Sequence, residues 1–239
     1  LDHEYGTPAV DYSPDGSSVC TGSYDGIVRI WEASSGDLLQ TLEGNEGTIW
    51  SVAYSPDGKL IAAGGNDDKV SVWDLKTGVL KYELTESDHN IWEVAFHPSG
   101  EVLVASGSDD LIRVYDVESH RLMKTLEGHA EVPLSMDFSP DGKLLASASD
   151  DKTVKIWDTY SWELLHTLQG ANQALHAVLF IDNDRLLAGG TDKKILGEFL
   201  EYHFGFSGLV SPVIATLWNV KSEEILQTIS GHTNDLGLG

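Results

Sequence analysis

Hydrophobic and polar positions along this chain of 239 residues recur with a period of 42. The aromatics Tyr12, Tyr54, Phe96, Phe138 and Phe180 keep that spacing. So do Trp31, Trp73, Tyr115 and Trp157, each followed by an acid (Glu32, Asp74, Asp116, Asp158). A third series is Leu38, Leu80, Leu122 and Leu164. Three series in one register define a structural repeat. Inside each unit the alternation is two-residue, as in Val154-Lys155-Ile156-Trp157, which predicts strands. Turn chemistry separates them. Ser-Pro-Asp-Gly stands at 13–16, 55–58 and 139–142, where Pro fixes φ and Gly tolerates the exit geometry. Further turns fall at Asp25, Asp67, Asp109 and Asp151, and at Ser35-Gly36 and Thr77-Gly78. The pattern predicts four short antiparallel strands per unit, with repeats near 1–43, 44–85, 86–127, 128–169 and 170–230. No stretch of the first 190 residues carries a helical apolar period.

A sheet of four short strands cannot bury both faces alone. Stacking copies about an axis solves this and leaves only short protected edges. The predicted fold is therefore all-β, a single β-propeller domain over 1–239, with about five blades and the start of a sixth at 231–239.

The unit Gly128-His129, Phe138-Ser139-Pro140-Asp141-Gly142, Ser147, Asp151 and Trp157-Asp158 resembles the WD-repeat β-propeller family. The resemblance covers nearly the whole chain in five copies. It implies a hydrogen-bonded tetrad of His, Ser or Thr, Asp and Trp in each blade. The tetrad carries over to His129, Ser147, Asp151 and Trp157, and to His3, Thr21, Asp25 and Trp31. In it the indole N–H donates to the hydroxyl, the hydroxyl to the imidazole, and the imidazole to the carboxylate. The second and third copies depart from it, with Asn45, Ala63, Asp67 and Trp73, then Ser87, Ala105, Asp109 and Tyr115. Those blades are expected to be looser or held by other contacts. A recurring Ser–His–Asp trio without a Gly-x-Ser-x-Gly elbow reads as structural, not catalytic.

The resemblance also implies that partners dock on the face bearing the loops that enter the first and third strands. Residues expected there differ between copies: Tyr24, Trp50, Asn66, Asn90, Trp92, Leu134, Asp150 and His176. Tyr24, Trp50 and Trp92 are expected on adjacent blades at the mouth of the central channel, as aromatic anchors of an interface. The competing reading packs Trp50 and Trp92 between blades.

Composition narrows the partners. A formal charge of −23 with 15 scattered Lys and Arg repels phosphate, so nucleic acid is not expected. Proteins, including basic or Arg-bearing peptides, are. The single cysteine, Cys20, lies in an apolar run and excludes an intrachain disulfide, which suits an intracellular setting, cytoplasm or nucleus. Histidines do not fall at metal-ligand spacing, and no phosphate-cradling loop is present, so no metal, cofactor or catalytic residue is assigned. The leading expectation is a non-catalytic scaffold of a multiprotein complex. The alternative is a regulatory or sensor propeller of a larger kinase or NTPase. A propeller enzyme would have only Asp150 and His176 as isolated candidates.

The fifth copy is interrupted. Trp218 arrives 19 residues late, which places an insertion near 196–214. The insertion reads as a long functional loop or as a segment absent from the native polypeptide. Glu198, Glu201 and Pro212 argue against a membrane span. A start at Leu1 inside the pattern reads as a fragment, and ring closure is expected from further blades or a second chain.

Overall fold

A computed structural model describes residues 6–171, 173–190 and 214–230. His3, the interrupting segment through residue 213 and the sixth copy at 231–239 lie outside the described residues. All regular structure in the described residues is β, in five four-stranded antiparallel sheets whose strands follow chain order. Blade 1 is β1 (Ala9–Tyr12), β2 (Ser18–Gly22), β3 (Val28–Glu32) and β4 (Leu38–Leu42). Blade 2 is β5 (Ile49–Tyr54), β6 (Leu60–Gly65), β7 (Val70–Asp74) and β8 (Val79–Leu84). Blade 3 is β9 (Ile91–Phe96), β10 (Val102–Gly107), β11 (Ile112–Asp116) and β12 (Arg121–Leu126). Blade 4 is β13 (Pro133–Phe138), β14 (Leu144–Ser149), β15 (Val154–Asp158) and β16 (Leu164–Leu168). Blade 5 is β17 (Leu175–Phe180), β18 (Arg185–Gly190), β19 (Ile214–Asn219) and β20 (Glu224–Ser230).

The turns form for local reasons. In Ser13–Gly16, Ser55–Gly58 and Ser139–Gly142 the Ser hydroxyl donates to the Asp two residues on, at 2.7, 2.7 and 2.9 Å. The glycine closing each turn has φ of +71°, +67° and +72°, a region other residues avoid. Every third–fourth strand pairing carries a bulge beside its large aromatic, at Ile30/Trp31, Val72/Trp73, Val114/Tyr115, Ile156/Trp157 and Leu217/Trp218. A bulge re-aims the side chain that follows it. Trp31, Trp73, Tyr115, Trp157 and Trp218 are all buried.

The chain divides into two compact units, Leu1–Pro133 and Leu134–Gly239. In the first, the core lies between successive sheets. Cys20, Ile30, Ile49 and Ile61 pack between blades 1 and 2, and Val72, Ile91, Val94 and Leu103 between blades 2 and 3. Ile49 and Ile91 press onto Gly22 and Gly64, where no Cβ fits. Polar latches set the blade register. Asp11 accepts the Tyr54 N–H at 2.8 Å and Ser51 accepts the Val94 N–H at 3.1 Å, each across 43 residues. Equivalent ends of these sheets therefore lie together. The second unit repeats the device. Ser135 accepts the Val178 N–H at 3.1 Å and Asp137 the Phe180 N–H at 2.6 Å, around a core of Ala148, Ile156, Leu175, Leu186 and Trp218. Burial pushes the Asp11 carboxyl above its ordinary value and that of Asp137 up to about 6.

Candidate functional site

Each blade first anchors the loops that carry its variable residues. In blade 1 the Trp31 indole donates to the Thr21 hydroxyl at 2.7 Å, and in blade 4 Trp157 donates to Ser147 at 2.9 Å. His129 is 9% exposed, and Asp151 accepts from the Thr153 N–H and hydroxyl at 2.9 and 2.6 Å. Asp25 carries a contact the sequence reading did not include. It pairs with Arg29 at 2.8 Å, and that guanidinium holds its carboxyl below the ordinary range. Asp109 and Arg113 repeat this pair at 2.5 Å in blade 3; burial opposes ionisation of Asp109, but Arg113 outweighs it and the net shift is down. An acid four residues before an arginine, with a turn between them, was the available signal.

Blade 2 replaces the missing hydroxyl with a backbone acceptor. Trp73 donates instead to the Glu43 carbonyl at 3.0 Å, and Asn45 and the Glu46 N–H reach Asp67 at 3.4 and 3.1 Å. In blade 3, Arg113 also donates to the Glu86 carbonyl at 3.1 Å, and Tyr115 is 1% exposed.

On this framework the first unit gathers three of the expected aromatics. The rings of Tyr24 and Trp50 meet edge to face at 5.9 Å, and those of Trp50 and Trp92 stack at 5.3 Å with planes 29° apart. Each comes from a successive blade. The indole of Trp50 donates to Asn66 at 2.5 Å and that of Trp92 to Ser108 at 2.8 Å. Ser108 is itself tied down through its N–H to the Asn90 carbonyl at 3.0 Å. Tyr24 lies over Gly6, where an added Cβ would stand 2.5 Å from its ring, and its N–H donates to the Gly6 carbonyl at 3.1 Å. Gly6, Asn66 and Ser108 thus fix the rings. Tyr24 remains 50% exposed, and both indoles are half-buried. Asn66 and Asn90 take part through a side chain and a backbone carbonyl respectively.

Three expected residues fall in the second unit. Asp150 and His176 pair at 3.3 Å, with side chains 37% and 39% exposed, and Leu134 is half-buried on β13. Among the described residues no three His, Cys, Asp or Glu side chains group as a metal site. No helix among them is long and apolar enough to cross a membrane.

The four-stranded sheets, their repeated turns and the Trp–hydroxyl pairs define a WD-repeat β-propeller protein. A family model, "Echinoderm microtubule-associated protein second beta-propeller", matches residues 8–173, more than half of the chain, and the chain belongs to that family. Shorter matches join it to other proteins. Eukaryotic translation initiation factor 3 subunit I of Eremothecium gossypii is 36% identical over 52 residues, 22% of this chain and 15% of that protein. The Periodic tryptophan protein 2 homolog of Dictyostelium discoideum is 42% identical over 50 residues, 21% of this chain and 5% of that protein. Dynein assembly factor with WD repeat domains 1 of Danio rerio is 41% identical over 44 residues, 18% of this chain and 11% of that protein. The aligned stretches thus span a small part of these relatives, about one repeat each.

Proposed function

We propose that the chain is a non-catalytic protein-interaction scaffold and that the Tyr24–Trp50–Trp92 ladder of its first unit is the docking surface. The observation that carries this is the ladder itself. Three large rings are held in fixed geometry by Gly6, Asn66 and Ser108, yet stay partly open to solvent. Rigid aromatics of this kind carry a disproportionate share of binding energy at protein interfaces. The occupant is a protein segment of positive charge, because the chain carries −23 and acids crowd the loops around the ladder. Membership among proteins named for translation initiation and dynein assembly supports a role inside a complex. An intracellular setting, cytoplasm or nucleus, accords with the single thiol, Cys20, which is 0% exposed and raised in pKa by burial.

The test is quantitative affinity capture with the chain and with Trp50→Ala plus Trp92→Ala, folding being checked by near-ultraviolet circular dichroism. Partners that depend on the two indoles support the reading. An unchanged partner set from a folded variant overturns it.

A further inference from the structure

Which chemical group does the ladder recognise? Both indole N–H donors are already used, Trp50 on Asn66 and Trp92 on Ser108. The ladder therefore has no indole donor left for a ligand; it offers π-faces. The cations at this end of the sheets are also committed. Arg29 pairs with Asp25, Arg113 with Asp109, and Lys69 with Glu83. Two carboxylates of the same turns stand apart from these pairs. Asp68 and Asp110 each follow the paired or buried acid of their turn, with φ of 61° and 65°, and neither side chain makes an ion pair or hydrogen bond among the described residues. They stand two residues after Asn66 and Ser108, the residues that hold the two indoles. Glu46 and Asp88, in the loops entering β5 and β9, add negative charge to the same end.

We propose that this surface selects an arginine side chain of an extended peptide, its guanidinium lying on an exposed ring face and donating to Asp68 and Asp110. The inference rests on the reading that the ladder is the docking surface. A guanidinium is flat, weakly hydrated and rich in donors, so it stacks on an aromatic face and reaches carboxylates together. An ammonium is compact and strongly hydrated and does the first poorly. A neutral or anionic group finds no indole donor and no attractive field here.

The probe is a set of nine-residue Gly/Ser peptides with one central Arg, Lys or citrulline, titrated against the whole chain by calorimetry. The Arg peptide is expected to bind about tenfold more tightly than the citrulline peptide, the neutral shape-mimic, and more tightly than the Lys peptide. Asp68→Asn plus Asp110→Asn, which leaves the rings in place, is expected to remove most of that preference. Equal binding of Arg and citrulline, equal binding of Arg and Lys, or an Arg preference that survives the double Asn variant overturns the guanidinium assignment. Loss of captured partners on Trp50→Ala plus Trp92→Ala would still stand in those cases, so the two readings fail separately.

Discussion

The two units place different chemistry at equivalent positions of one repeat. Tyr24 and Trp50 in the first unit, and Asp150 and His176 in the second, are each separated by 26 residues and link one blade to the next. The first pair is an edge-to-face aromatic contact continued by Trp92; the second is a half-exposed carboxylate–imidazole contact. The shared register fixes where these side chains stand. The residue type decides what they can bind, so the repeat supplies a scaffold and its exceptions supply recognition. The same holds inside the blades. Gly22 and Gly64 lie under isoleucines of the following blade, whereas the equivalent places in blades 3 and 4 hold Ser106 and Ala148.

The largest expected effect compares the buried anchors. Trp157→Ala in the second unit removes a large side chain and its donor to Ser147, and is expected to cost about 4 kcal/mol; Tyr115→Ala in the first is expected to cost less. Equal shifts in melting midpoint would break the contrast. Next, Gly64→Ala drives a methyl into Ile91 and is expected to destabilise by about 3 kcal/mol. Chemical denaturation of the variant decides this, and an unchanged midpoint would show that Ile91 can give way.

A third comparison uses pH. Burial raises Asp137 from 3.8 to about 6, so the folded state holds its proton more firmly than the unfolded one. Its contribution is full below pH 4 and is lost as pH rises toward and past 6. Asp137→Asn keeps an acceptor for the Phe180 N–H and is expected to stabilise by about 2 kcal/mol at pH 7, with no gain at pH 4. A difference between variant and parent that does not change with pH would refute the assignment. The smallest effect concerns Trp218, whose buried indole N–H has no partner among the described residues because Ala188 stands where Thr21 and Ser147 stand in blades 1 and 4. Ala188→Ser is expected to add about 1 kcal/mol. Ala63→Ser in the first unit should not, since Trp73 already donates to Glu43. Identical gains at both sites would remove the explanation.

Much of this was legible from residues alone. The period of 42, the two-residue alternation and the Ser-Pro-Asp-Gly turns locate strands because these are local properties of φ, ψ and burial. The pairing of Trp31 with Thr21 and of Trp157 with Ser147 was what the resemblance to the WD-repeat family implied. The candidate surface was legible as a set of variable positions, with Tyr24, Trp50 and Trp92 expected on adjacent blades. What lay beyond reach were contacts between blades: the Asp11 and Asp137 latches, the stack of Trp50 on Trp92, and the loss of space at Gly22 and Gly64.

By itself, then, the sequence determined the repeat, the strands within it and which residues break its regularity, because backbone preference and alternation act over a few residues. Only the tertiary structure decided which of those exceptions meet. Tyr24, Trp50 and Trp92 are 26 and 42 residues apart in the chain, and become neighbours because successive sheets pack in register. Asp68 and Asp110 stand outside ion pairs because the cations of that end are taken by other acids. Distance and competition for partners are properties of the packed chain, and they turn a list of variable residues into a surface with a preferred ligand.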